Sequence, residues 1–229
     1  MLSIIVPTLN EQQTIATTLA ALQPLRARGV EVIVVDGGSE DSSMRLAFPL
    51  CDHAIVARRG RASQMNAGAR QANGDKLLFL HSDTVLPEGA LEAINRALMT
   101  PGCVWGRFDV KIESSLRLLN GVAFMMNLRS RWTGIATGDQ AIFVTRDAFE
   151  RVGGFPAVSL MEDIALSKSL KRLSAPACVR AKVTTSGRRW EKNGIVRTVL
   201  LMWRLRLAYF LGAAPSRLAE QYEHARRDA

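Results

Sequence analysis

Ser3-Ile4-Ile5-Val6-Pro7-Thr8-Leu9-Asn10-Glu11 opens with a short β-branched run and breaks at once into polar, turn-forming residues. The same change recurs at Glu31–Val35 followed by Asp36-Gly37-Gly38-Ser39-Glu40-Asp41-Ser42, and at Lys76–His81 followed by Ser82-Asp83-Thr84. Between these runs lie helix-length segments: Glu11–Arg28, a short one near Asp41–Ala47, and Arg61–Ala72, with a further apolar run at Ala54–Val56. A helix Glu88–Met99 begins just after Pro87 and stops before Pro101, as proline's missing N–H and fixed φ favour. Short apolar strands alternating with helices predict βαβ units, and so parallel strands joined by crossover helices.

Beyond about residue 104 the rhythm loosens into a strand Val104–Ile112, a helix Leu116–Arg131, a strand Ala141–Thr145, a helix Met161–Leu173 and a strand Val179–Thr184. This half reads as mixed, and no Pro/Gly/Ser-rich linker separates it from the first. The expectation is one domain over residues 1–229 whose two lobes share a sheet, with a soft boundary near Thr100–Gly102. Its parts are a nucleotide-side half (1–100), an acceptor-side half (101–185) and a basic loop with a helical tail (186–229).

The 229 residues are 48% hydrophobic and 22% charged, a balance that excludes a disordered or fibrous chain. Thirty Lys and Arg against 21 Asp and Glu leave a formal charge of +9, which suits an anionic partner without choosing one. Cys51, Cys103 and Cys178 lie far apart, with neither a disulfide framework nor zinc-ligand spacing, and a reducing cytosol is the expected setting. The N-terminus lacks a basic region before its apolar run and reads as a strand, not a cleaved signal. Arg197, Arg204 and Arg206 interrupt the most apolar stretch, Val196–Ala214, too often for a bilayer-spanning helix.

In open α/β sheets ligands bind beyond the carboxyl ends of the strands, where this chain places Thr8 to Glu11, Asp36 to Ser42 and His81 to Thr84. Gly60-Arg61-Ala62-Ser63-Gln64-Met65-Asn66 would bring a cation to the same rim. Each piece has an ordinary alternative: a helix cap at Asn10, a glycine turn with Asp41 as the next cap, an Asx turn at Asp83, a solvated Arg61. Four such coincidences at successive strand ends are rarer than one nucleotide pocket. Neither a G-x-G-x-x-G nor a G-x-x-x-x-G-K-[ST] loop is present. A diphosphate must therefore be held otherwise, and a divalent cation on Asp83 with Arg side chains from the basic tail is the substitute.

Pro7-Thr8-Leu9-Asn10-Glu11, Val35 to Asp41, Gly138-Asp139-Gln140 and Glu162-Asp163 resemble family 2 glycosyltransferases with the GT-A fold, over residues 1 to about 173. Leu80-His81-Ser82-Asp83-Thr84 and Arg188-Arg189-Trp190-Glu191-Lys192 resemble a subgroup of small, stand-alone bacterial enzymes. The resemblance implies a three-layer α/β/α sandwich around a mixed, mostly parallel sheet, and transfer of a sugar from a nucleotide-sugar, a UDP-sugar by expectation, to an acceptor hydroxyl. It puts Pro7, Thr8, Glu11 and Asp36 around uracil and ribose, with Arg61 and Asn66 at the nucleotide edge. Asp83 would face the metal, Mg2+ or Mn2+. The family's metal motif is usually Asp-x-Asp, and here His81 stands in the first place. Donor contacts are therefore expected from His81 and Asp83, with Asp83 as the metal ligand.

Inverting transfer needs a base for the acceptor hydroxyl proton, and Glu162-Asp163 at a helix start offers two carboxylates that diverge by about 100°. By resemblance Asp163 is the base and Glu162 holds the acceptor, while Gly138, Asp139 and Gln140 form the neighbouring wall. Arg188, Arg189 and Lys192 are candidate cations for the leaving diphosphate, on a stretch Thr184-Thr185-Ser186-Gly187 with the composition of a loop; Trp190 could stack on a sugar or cap the pocket.

Residues 188–229 hold nine Lys and Arg against four Asp and Glu, so most of the excess charge is in the tail. Ile195, Val199, Met202, Trp203, Leu207 and Phe210 recur there at helical spacing, as in a helix that packs on protein, in the core or a homodimer, or that lies on anionic lipid. Leu116–Arg131 raises the same question, or it walls the acceptor pocket. The acceptor class stays open between a lipid-linked molecule and a small one, the chain is expected in the cytoplasm or at the inner face of the membrane, and nucleic acid is not an expected partner. The rival reading is a non-catalytic nucleotide-sugar or membrane-surface module that lost turnover through His81.

Overall fold

The computed structural model describes residues 1–227, apart from the side chains of Arg189, Asn193 and residues 223–227. Its first strands, β1 (Leu2–Thr8) and β2 (Glu31–Asp36), are buried along their whole length. Side chains alternate between the faces of a strand, and here both faces are apolar. Ile4, Val6, Val32 and Val34 meet Ile15, Leu19 and Leu22 of α1 (Ile15–Arg26) on one side. Ile5, Ile33 and Val35 meet Ala62, Met65 and Ala69 of α3 (Arg61–Gln71) on the other. At roughly 1.5–3 kcal/mol per fully buried aliphatic side chain, this double cover is the main stabiliser of the first 100 residues.

Between them lie α2 (Ser43–Ala47) and β3 (His53–Val56), and after α3 come β4 (Lys76–Phe79), β5 (Thr84–Val85) and α4 (Ala90–Leu98). The later half adds β6 (Trp105–Glu113), α5 (Leu118–Thr133), β7 (Ile142–Thr145), α6 (Arg146–Arg151), α7 (Glu162–Leu170), β8 (Ala177–Ser186), α8 (Arg188–Asn193), α9 (Ile195–Phe210) and α10 (Pro215–Arg227). One eight-stranded sheet runs in the order β3-β2-β1-β4-β7-β6-β8-β5. The pairs β3-β2-β1-β4 are parallel, β7 is antiparallel to β4 and β6, β8 is parallel to β6, and β5 is antiparallel to β8. This is the mixed, mostly parallel sandwich the sequence predicts.

Three local expectations are corrected. The first helix starts at Ile15, not Glu11: the backbone N–H groups of Asn10, Glu11 and Gln12 are drawn to Ser39 Oγ, Ser43 Oγ and Asp41 Oδ2 of the facing loop, and residues 11–14 form a turn. Asn10 is no cap but holds a left-handed backbone (φ 55°), its Oδ1 accepting from Glu40 N. The polar stretch Thr184–Ser186 is strand, not loop, because β8 pairs there with β5 and Thr185 Oγ1 lies 3.0 Å from Thr84 Oγ1 as a cross-strand threonine pair.

The tail packs on protein along one side only. Leu205 and Leu218 are buried against Ile135, Met161 and Ile164, with Leu201, Met202 and Ala208 beside them. Trp203, Leu207 and Phe210, counted above in the packing stripe, are exposed. Among the described residues no helix is long and apolar enough to cross a membrane.

A Cβ at Gly68 in α3 would lie 2.5 Å from Ile5 Cγ2 and 2.9 Å from Val35 Cγ2, so glycine sets the helix-to-sheet distance. Gly68→Ala gains about 1 kcal/mol of helix propensity and loses about 1–3 kcal/mol to overpacking, for a net loss. Gly121 in α5 meets nothing within 4 Å, and Gly121→Ala is expected to stabilise by up to about 1 kcal/mol. Thermal melts of the two variants should move in opposite directions; a rise for both would refute the packing account.

Candidate active site

Thr8 and Asp36 are register partners at the carboxyl ends of β1 and β2, with Pro7 buried one step before. The Asp36 carboxylate is buried and accepts from Gly38 N at 3.2 Å, from Ser39 N at 3.0 Å and from Ser39 Oγ at 2.6 Å. The turn glycine that allows this, Gly38, has φ 90°. Gln64 Nε2 donates to Thr8 O (2.9 Å) and Val35 O (2.8 Å), tying α3 to both strand ends. Gln64 was not among the residues singled out, although it lies in the segment flagged for its cation.

Glu11 Oε2 accepts from Thr14 Oγ1 at 3.0 Å and pairs with Arg188 Nη2 at 3.3 Å, while Arg188 Nη1 donates to Gln13 Oε1 at 2.7 Å. The start of α8 thus reaches across to the loop after β1. Ser186, just before it, is hydrogen-bonded through its N–H to Asp83 O. Asp83 lies beyond β4, and among the described residues its carboxylate accepts from the hydroxyls of Thr84 (3.3 Å) and Thr185 (3.5 Å).

A second cluster crosses the later half. His81 Nδ1 is 3.2 Å from Asp139 Oδ1, and a Cβ on Gly138 would collide with the His81 ring. Asp163 Oδ2 accepts from Gly138 N (2.9 Å) and Oδ1 from Ile164 N (2.7 Å), so two backbone donors fix this carboxylate at the start of α7. Its neighbour Glu162 is buried and lies 3.7 Å from Arg61 Nη1. Burial, with the adjacent Asp163 charge, pushes the Glu162 carboxyl above its ordinary value against the pull of Arg61. Glu162 and Asp163 share a small pocket with His81 and Gly138.

A cavity of about 440 Å³ opens beside this cluster, with His81, Asp83 and Asp139 at one end, Trp190 on its wall, and α5 and α9 as its sides. Thr8, Glu11 and Asp36 are not on its lining; they form the separate group joined to it through Arg188. Two expected site residues are spent elsewhere. Asn66 exchanges both hydrogen bonds of its amide with the Phe155 backbone, and Gln140 is buried with its amide on Thr137 N and Asn127 Oδ1. The Arg189 side chain lies outside the described ones.

Among the described residues three non-glycine backbones are left-handed, at Asn10, Ala141 and Met161, each next in sequence to a candidate site residue, Glu11, Gln140 and Glu162. Such backbone costs of order 1–3 kcal/mol and persists where the surroundings impose it. Met161 in particular sets the entry to α7 that aims Glu162 and Asp163. Arg129 and Arg206 also line the cavity and were not singled out as site residues. Both keep phase with apolar neighbours (Val122, Met125, Arg129; Val199, Met202, Arg206), which periodicity could have revealed.

No group of three or more His, Cys, Asp or Glu among the described residues could hold a metal ion by itself. Asp83 with a donor's own phosphate oxygens is a set that fits a hard divalent cation. His81 is engaged with Asp139 and packed over Gly138.

Among solved structures, glucosyl-3-phosphoglycerate synthase from Mycobacterium tuberculosis, in complex with Mn2+, UDP and glucosyl-3-phosphoglycerate, is similar at a TM-score of 0.66 and 19% identity, over 93% of this chain and 80% of that one. S. aureus TarS 1-349 in complex with UDP-GlcNAc is similar at 0.64 and 17%, over 81% and 58%. These likenesses show the fold. In sequence, the poly-beta-1,6-N-acetyl-D-glucosamine synthase of Staphylococcus aureus (strain COL) is 29% identical over 87 residues, 35% of this chain. An uncharacterized glycosyltransferase of Haemophilus influenzae is 36% identical over 86 residues, 36% of this chain. The chain spans only 21% and 29% of the lengths of these two curated relatives. Residues 3–153 match the family model described as Glycosyl transferase family 2. With that match over the strand ends that carry Thr8, Asp36, His81 and Asp83, the chain belongs to glycosyl transferase family 2.

Proposed function

We propose that the chain transfers a sugar from a UDP-sugar to an acceptor hydroxyl with inversion at the anomeric carbon. The observation that carries this reading is that His81, Asp83 and Asp139 line one cavity while Asp163, bonded to Gly138 N, shares an adjoining small pocket with His81. UDP in the mycobacterial synthase and UDP-GlcNAc in TarS, proteins of the same fold, support the donor class.

In this reading Thr8, Glu11 and Asp36 receive the nucleoside, Asp36 stiffened by the turn it organises. Asp83 is the protein ligand of a divalent cation, Mg2+ or Mn2+, which when bound supplies charge for the departing diphosphate. Arg188, held at the rim by Glu11 and Gln13, can turn toward developing negative charge, where a cation stabilises the transition state more than the ground state. Asp163 takes the hydroxyl proton, its two backbone hydrogen bonds holding the carboxylate in place. Glu162, buried beside Arg61, helps to hold the acceptor. His81 orients Asp139 as part of the acceptor wall.

A thermal-shift screen of nucleoside diphosphates with and without Mn2+ tests the donor half. A ligand at 100 times its Kd stabilises by about 2.7 kcal/mol, so UDP with Mn2+ is expected to raise Tm clearly and UDP with chelator much less. No shift with any nucleotide would overturn the reading. Slow hydrolysis of a UDP-sugar by water separates an enzyme from a module that only binds.

A further inference from the structure

The large cavity has a lining its place beside the donor site does not explain. Its sides are apolar: Val122, Met125 and Met126 from α5 face Val199, Met202 and Trp203 from α9. Into this lining come two arginines, Arg129 and Arg206. Among the described residues, Arg129 Nε and Nη2, and Arg206 Nε, are buried with no hydrogen-bond partner. A buried guanidinium N–H without an acceptor is costly, and two in one apolar space repel each other as well. Burial and the Arg206 charge lower Arg129 to about 10, and burial lowers Arg206. The charges of Asp139 and Asp163 offset part of this cost. Methionine at both places would complete the apolar wall without any of it.

At the mouth the apolar lining runs out into solvent. Leu118, Met125 and Trp203 line the cavity and are each more than half exposed. Phe124 on α5 and Leu200 and Leu207 on α9 extend the exposed apolar surface of the same two helices. A small polar acceptor gives these side chains nothing to meet; a hydrocarbon chain does. An oxyanion is the complement of paired guanidinium donors.

We propose that the acceptor is an anionic amphiphile, its phosphate or carboxylate group held by Arg129 and Arg206 and its hydrocarbon chain lying between α5 and α9. This deepens the transferase reading above and rests on it for the word acceptor; the anion site itself does not. Bound this way, the head group sits in the cavity that also holds His81, Asp83 and Asp139, and the chain leaves along the exposed apolar face of the tail. The exposed stripe of α9 is then a surface for the lipid portion of the substrate.

The test is calorimetric titration of the full chain with octyl phosphate, 1-octanol and inorganic phosphate, with UDP titrated in parallel. Octyl phosphate is expected to bind at least about tenfold tighter than either fragment, since a hydrogen bond to a charged group and the buried chain each contribute on that order. Arg129→Gln and Arg206→Gln should each weaken octyl phosphate by at least about tenfold and leave 1-octanol and UDP within about twofold. Octyl phosphate no tighter than 1-octanol would remove the anion site. Equality with inorganic phosphate would mean a soluble acid and no lipid chain. Variants that weaken UDP but spare octyl phosphate would assign the arginines to the donor. If UDP does not bind while octyl phosphate behaves as expected, the transferase reading fails and the amphiphile site stands. The wild-type comparison decides the matter even if a variant does not fold.

Discussion

Asp163→Asn is expected to lower turnover at least about 10²-fold, the low end for a general base, with UDP affinity nearly unchanged. The substitution keeps the shape of the side chain and removes its capacity to take a proton at neutral pH. It also loses one of two backbone interactions, because the carboxylate accepts from both Gly138 N and Ile164 N, and an amide offers one oxygen. A loss of fold at α7 would show as a lower Tm and weaker UDP binding, whereas loss of a base leaves both near wild type. Turnover equal to wild type would remove the assignment. Glu162→Gln is the control: a residue that holds the acceptor without taking its proton should cost much less than Asp163→Asn.

Asp83→Ala should abolish the metal-dependent part of UDP binding. Residues that merely support a metal ligand carry 10–100-fold in affinity, so the only protein carboxylate proposed to face the ion should carry at least about tenfold. Loss of the carboxylate leaves the Thr84–Thr185 hydroxyl pair in place, so the β5–β8 pairing should survive with little change in Tm. The readout is the ratio of UDP affinities with Mn2+ and with chelator. A ratio as large in Asp83→Ala as in wild type would mean that the cation, if any, is held elsewhere.

The strands whose ends build the rim were legible because β1 and β2 are buried on both faces and therefore uninterrupted in hydrophobicity, a local property of the chain. Asp36 was legible for the same reason: a carboxylate directly after such a run, before two glycines, ends a strand and begins a turn. The partners of Asn66 and Gln140 were not legible because an amide in a polar stretch looks the same whether it meets a ligand or a distant backbone; Phe155, the partner of Asn66, is 89 residues away. Thr184–Ser186 misled because polar composition suggests a loop, and only a partner strand makes it a ladder.

The alternation of strands and helices, and the motifs that carry the family resemblance, could be read from residue order alone, since each rests on neighbours within a few positions. Which residues share a cavity could not. His81 against Asp139, Arg188 against Glu11, and Arg129 beside Arg206 are pairings across 58, 177 and 77 positions, set by how the sheet closes and how the tail folds back. Electrostatics and burial act through space, so the charge at a site belongs to the folded chain and not to any segment of it.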